Sequence, residues 1–544
     1  MRAAMLALIT LAFVLAMPAS GRAAAAADRH IGEAIYRQGL LASGEPVQAR
    51  RAGDVAIQGG AAACVNCHQR SGLGSVEGRR VIPPISGRYL FRTRSGASDD
   101  DLPYVEGIRN GRQPYTEALL ARAIREGIDA GGRPLDYLMP RFAIDDKDMA
   151  ALIDYLKGLD PPRVAGVSDT ELHFATVVTP DADPARAAAM IEVMEQFFVD
   201  KNRAPIGVTP KLRSSRKFMF LVNRRWQLHV WRLTGAPAAW PAQLARHMAE
   251  EPVLAIVSGV GGTTWAPIQA FCEAEAVPCL FPNIESPPAD ADRDFYSLYF
   301  SKGVLLEAEL IADAIRNPDA GERGALEVRQ VYRTGDSGEP AARALAAALA
   351  RRGVKVRSSA LGAADPPAAV AKAVAKSARA GTLVLWLHAA DLAALGDASA
   401  APDTVFISGL MGGLERAPLP PGWRDKVRLA YPVDLPDRRR VRVDYARGWF
   451  AMRHIPVVDE QLQADTYLAC GLLAETVSHM ADSFVRDYLI ERLQDVLEHR
   501  ILTGYYPRLA LATGQRYASK GGYIVRFADP EGNRLAALGA WSAP

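Results

Sequence analysis

From residue 169 to the C-terminus at 544, short apolar runs alternate with longer amphipathic ones, and this alternation limits the fold more than any other feature of the chain. Leu172–Val178, Leu254–Ser258, Cys279–Pro282, Leu326–Tyr332, Val354–Arg357, Leu383–Leu387 and Thr404–Ser408 read as strands. Pro184–Val199, Ile268–Ala276, Leu305–Ile315 and Ala341–Arg352, lying between them, read as helices with one apolar face. Strands separated by helices pair in parallel, and parallel sheets are covered on both faces. With 544 residues, 49% of them apolar, the chain has material for three or four domain-sized units.

Composition excludes several roles. Lys+Arg number 64 and Asp+Glu 61, a net charge of +3, without the basic excess of a nucleic-acid binder. Residues 1–27 have the order of an export signal: Arg2, an apolar run from Ala3 to Met17, then Pro18 to Ala27 with several Ala-x-Ala sites. That run is shorter than the ~20 residues a spanning helix needs, and no other long uncharged apolar stretch follows. The expectation is a bacterial periplasmic protein whose mature chain has no membrane span, in an oxidising compartment.

Five cysteines must be placed there. Cys64-Val-Asn-Cys67-His68 has the C-x-x-C-H pattern of c-type haem attachment, in which two thiols add to the vinyl groups and the next residue ligates the iron. A zinc site would need a second ligand pair, and the chain has no other C-x-x-C. The cofactor expected is one covalent haem c. Cys272 and Cys279, seven residues apart, form either a small-loop disulfide or two buried thiols; Cys470, in an apolar helical stretch, reads as a buried free thiol.

Gly32–Tyr36, Pro83-Pro-Ile-Ser-Gly87, Leu135–Phe142 with its Met139-Pro140 pair, and the helical run from Asp145 to Lys157 surround this motif. Together they resemble a class I cytochrome c domain, expected to be all-α and to span 28–160. The resemblance implies His68 and Met139 as axial ligands, with the Pro83 carbonyl holding the His68 ring. Met149 is the rival ligand, but its helical position suits packing. One departure is the roughly 28 residues between the first helix and Cys64. A filled His/Met coordination sphere favours one-electron carriage.

A Pro/Gly stretch at 161–168 reads as a linker. Beyond it, Leu254-Ala-Ile-Val-Ser-Gly-Val-Gly-Gly-Thr-Thr264, Val328–Gly338, Pro402–Gly412 and Asp465–Leu473 resemble segments of a type I periplasmic binding protein, the two-lobed α/β component of amino-acid transporters. The resemblance covers most of 169–544. It implies that the first-lobe loop (Ser258, Gly261, Gly262, Thr263, Thr264 and Trp265) holds a ligand carboxylate on free N–H groups and hydroxyls, with Trp265 over the ligand. Thr263 or Thr264 acting only as a helix cap is the plainer alternative. An acidic residue for a ligand ammonium is expected on the second lobe, with Asp336 and Glu339 on the right type of loop but neither matched. His388 and the other scattered histidines read as structural or solvated, and Tyr505-Tyr506 and Arg438–Arg440 as surface features.

Two functions follow. The leading one is a mono-haem electron carrier with a periplasmic redox partner, a dehydrogenase of the quinoprotein alcohol type, fused to a solute-binding-like domain. The other is a ligand-binding or sensing protein of amino-acid-transporter type, with a small-molecule ligand, whose haem reports or gates redox state. Catalysis is not expected: the chain has neither a second C-x-x-C-H nor a G-x-S-x-G motif.

Overall fold

A computed structural model of the chain describes residues 19–77, 80–91, 113–159, 164–203, 224–288, 294–316, 327–377, 381–480, 483–499, 504–512, 514–529 and 534–544. Most of the expected export segment, residues 1–18, lies outside them. The chain divides into two compact units, Met1–Pro162 and Arg163–Pro544.

The expectation of an all-α first domain is corrected. Helices α1 (Ala19–Gln38), α2 (Val65–His68), α3 (Gly87–Phe91), α4 (Glu117–Glu126) and α5 (Asp146–Lys157) are accompanied by strands β1 (Gln48–Arg51), β2 (Val55–Gln58), β3 (Ser75–Glu77), β4 (Arg80–Ile82) and β5 (Arg141–Ala143). The extra stretch before Cys64 supplies the difference. It reverses at Gly53 and Asp54, whose φ values of 78° and 63° are left-handed, so that Arg51 faces Val55 across an antiparallel pair. Immediately after Pro140, β5 adds to the other side of β1, giving the order β2-β1-β5. Helix α5 forms where its aspartates predict it: Asp145 caps it, accepting from Asp148 N at 2.8 Å, and Met149, Leu152, Ile153 and Leu156 are buried. It packs so closely on α1 that a Cβ on Gly32 would lie 2.2 Å from the Ala151 carbonyl oxygen.

In the second unit the alternation becomes two sheets. The first is wholly parallel and comprises β6 (Glu171–Val178), β7 (Arg225–Arg232), β8 (Ala255–Val257), β9 (Cys279–Leu280) and β10 (Ser297–Leu298), in the order β10-β9-β8-β6-β7. The second comprises β11 (Glu327–Arg333), β12 (Lys355–Leu361), β13 (Thr382–Trp386), β14 (Val405–Ser408), β15 (Val427–Tyr431), β16 (Tyr523–Phe527) and β17 (Leu535–Ala537). It runs β12-β11-β13-β14-β15-β16-β17, parallel as far as β15 and antiparallel beyond. Every residue of β8, β13 and β14 is buried, as parallel strands covered on both faces require.

The chain passes between the lobes three times. It leaves the first sheet after β10 and returns from β15 through helix Glu460–His479, which packs on Pro184–Arg203 of the first lobe. Tyr517 then pairs with Tyr299 beside β10 before the chain goes back to β16. The segment 164–168, read as linker, belongs to this unit: the Gly166 carbonyl accepts from His173 N at 2.8 Å.

Candidate functional site

A cavity of about 880 Å³ lies between the two lobes of the second unit, lined from both. The first-lobe loop forms one wall, where Gly261, Gly262 and Thr263 line the cavity. Ser258, at φ 55°, is fully buried behind them: its Oγ accepts from Asn283 Nδ2 at 2.7 Å and lies 3.2 Å from Thr466 Oγ1. It ties the loop to helix Glu460–His479. Trp265 is 1% exposed and packs in the core under the loop, its ring within 3 Å of a Cβ built on Gly259. Thr264 Oγ1 accepts from Ala266 N at 3.3 Å, a weak capping contact. Of six predicted residues, three therefore face the cleft and three support it.

Both donors of Thr263 are already in use. Asp181 Oδ2 accepts from Thr263 N at 2.7 Å and from Thr263 Oγ1 at 2.8 Å, and Thr179 Oγ1 donates to Asp181 Oδ1 at 2.5 Å. Burial works against the charge on Asp181, but these donors outweigh it and hold its carboxyl below the usual range. The position the sequence suggested for a ligand carboxylate holds one from the chain itself.

Across the cleft, His388 stands between Glu285 and Asp336. Its Nε2 is 3.0 Å from Glu285 Oε2 and its Nδ1 is 3.4 Å from Asp336 Oδ2. Hydrogen bonds to Asp336 and Glu285 outweigh the effect of burial and push the imidazole up to about 10. Burial raises Glu285, but its bond to His388 wins and lowers it. The group is a carboxylate–imidazolium–carboxylate bridge. Asp336 therefore sits at the cleft as the loop suggested; Glu339 instead caps its own turn, accepting from Gly335 N at 2.8 Å. His388, expected to be structural or solvated, joins Glu285 to Asp336 at the cleft.

Two further carboxyls are buried. Glu307 is pushed up to about 8 by burial, against the opposing bond to Ser408 and the Leu410 N–H at 2.9 Å. Asp465, which lines the cavity, is also pushed up to about 8 by burial, and its Oδ1 has no hydrogen-bond partner. The surface reading of Arg439, Tyr505 and Tyr506 is corrected as well. All three are buried, and Arg439 Nη2 donates to Glu415 Oε1 at 2.7 Å while its guanidinium stacks 4.3 Å from the Tyr505 ring. No sequence signal marked Asp181, Glu285 or Asp465, because Thr263, His388 and Tyr506, which they meet, lie 82, 103 and 41 residues away.

In the first unit, Cys64, Cys67, His68, Pro83 and Met139 line one cavity of about 480 Å³. His68 Nδ1 donates to Pro83 O at 3.0 Å. Met149 is 2% exposed and belongs to the core. Cys272 and Cys279 are both free and buried, beside one another, so no disulfide joins them; Cys470 is likewise a buried free thiol. Among the described residues no group of three or more His, Cys, Asp or Glu side chains gathers to hold a metal ion.

The two sheets, their three connections and the cleft between them are a two-lobed α/β fold that solved binding-protein structures share. The chain is similar to a branched-chain amino acid ABC transporter structure from Thermus thermophilus with bound valine, at 11% identity and a TM-score of 0.52, over 70% of this chain and 98% of that one. It is similar also to a fatty acid ABC transporter substrate-binding protein from Thermomonospora curvata, at 14% identity and a TM-score of 0.50, over 70% and 95% of the two chains. At these identities the likeness is one of fold. No family model and no curated protein matches the chain. The electron-carrier reading is thereby corrected: 70% of the chain has the fold of binding proteins, and neither neighbour is a cytochrome. The description as a cytochrome, with a dehydrogenase as redox partner, finds no support in these likenesses. No helix among the described residues is long and apolar enough to cross a membrane.

Proposed function

We propose that the protein is an exported, periplasmic solute-binding protein, which holds a small molecule between the lobes of its second unit and delivers it to an ABC transporter or reports its presence. The cleft carries this reading: about 880 Å³, lined by both lobes, is within the usual range for a small-molecule site. The neighbours, a valine-bound transporter component and a fatty acid binder, support it by fold. The role is binding rather than catalysis. The test is a thermal melt of the full chain against amino acids, fatty acids, amines and sugars. A binder at 100 times its Kd stabilises by about 2.7 kcal/mol and raises the midpoint. A panel with no such shift contradicts the reading.

The cofactor is a separate proposal. The first-unit cavity, with two thiols, an imidazole and a thioether on its walls, fits one haem c attached through Cys64 and Cys67, with His68 and Met139 toward the iron. Such a group supplies a one-electron couple when bound; the chain's part is the Pro83 carbonyl, which fixes the His68 ring through its Nδ1–H. Mass spectrometry of the exported chain tests it. A mass gain of one haem, lost in Cys64→Ser with Cys67→Ser, is expected; an unmodified wild-type mass contradicts it.

A further inference from the structure

The polar side chains of the cleft point to a ligand class. Eight acidic side chains, two arginines and the His388 imidazolium line the cavity, and lysine is absent from the lining. Both arginines are engaged: Arg186 Nε donates to Asp459 Oδ2 at 2.8 Å, and Arg416 lies 3.6 Å from Glu460. Glu285 and Asp336 share His388, and Glu415 takes Arg439 from behind the wall. Asp181 is bonded to Thr179 and Thr263, and Asp183 caps helix Pro184–Arg203, accepting from Ala185 N at 2.8 Å and Arg186 N at 2.9 Å. One acid is left over. Asp465 is 6% exposed; its Oδ2 accepts from Tyr506 OH at 3.2 Å, and its Oδ1 makes no hydrogen bond of good geometry, the Gln461 side chain beside it giving electrostatic support alone.

A buried carboxylate oxygen without a partner is costly, and a donor from outside relieves it. We infer that the cleft takes a small primary alkylammonium ion, whose ammonium donates to Asp465. The inference deepens the binding-protein reading and rests on it. A carboxylate-bearing ligand meets Asp181 where its anion would sit, and the excess of acids repels it. Burial and the nearby Asp459 raise Asp465, whereas Arg439 and the Tyr506 and Gln461 side chains that face it oppose the rise, so an arriving cation also draws this group into its charged form.

Calorimetric titration of the full chain at pH 7.5 tests this with five probes: butylammonium, butane-1,4-diamine, butan-1-ol, butyrate and leucine. At least one of the two amines is expected to bind, butan-1-ol at least about tenfold more weakly, and butyrate and leucine not at all. Asp465→Asn, nearly isosteric and checked for folding by circular dichroism, is expected to weaken the amine at least about tenfold. Equal binding of amine and alcohol in the wild type, or binding of leucine or butyrate with the amines silent, overturns the cationic class and leaves the binding reading intact. An amine affinity that Asp465→Asn does not change overturns the role of Asp465. Silence from all five, while the broader thermal panel yields another binder, overturns this inference alone; silence in that panel as well overturns the binding reading.

Discussion

Glu307 holds its proton into the neutral range because the fold removes its water, and the Ser408 hydroxyl with the Leu410 and Gly409 N–H groups does not make up for that loss. A carboxyl raised from its ordinary value to about 8 binds its proton more tightly folded than unfolded. Its contribution to stability is therefore complete below the unfolded carboxylate range and is lost as pH rises through about 8. Urea melts at pH 5 and pH 8 should show the wild type losing more stability between them than Glu307→Gln; equal losses would refute the assignment. Trp265, fully buried under the loop rather than over a ligand, makes a different prediction. Trp265→Ala should cost about 3–5 kcal/mol in denaturation melts, as a large side chain deleted from a core does. The sequence showed the loop's glycines and threonines plainly. It did not show that Asp181 would fill the loop, because a pairing across 82 residues leaves no mark on local spacing.

Among the elements, those that bury both faces were the legible ones. Ala255-Ile-Val, Thr382-Leu-Val-Leu-Trp and Val405-Phe-Ile-Ser carry little besides core side chains, and the helices between them keep one apolar face. Strand β7 was missed. It lies at the edge of its sheet with Arg225, Gln227, His229 and Arg232 interleaved among apolar residues, a pattern that does not read as a buried strand. Strands β1 and β2 were missed for a related reason: in four residues each, only Ala49 is buried. Helix α5 lies within the helical run Asp145–Lys157 read from the sequence; Asp145 caps it, and Asp145→Ala should lower thermal stability by about 1 kcal/mol. The loop of the first lobe is testable as an element. Asp181→Ala leaves the Thr263 N–H and hydroxyl free, so butyrate is expected to bind the variant more tightly than the wild type in calorimetry; no difference would show that more than Asp181 closes the loop to anions.

At the scale of the molecule, the C-x-x-C-H motif was the sharpest sequence signal, but it lies in 162 of 544 residues. A short motif in the first unit says nothing of the fold pattern spread across the second. That pattern, two sheets joined by three connections, is the fold the chain shares with its structural neighbours. If the cleft is a working small-molecule site, calorimetric titration of the full chain with a binder from the thermal panel gives saturable heat at one equivalent per chain. Contradiction would be the absence of saturable heat for every compound tried.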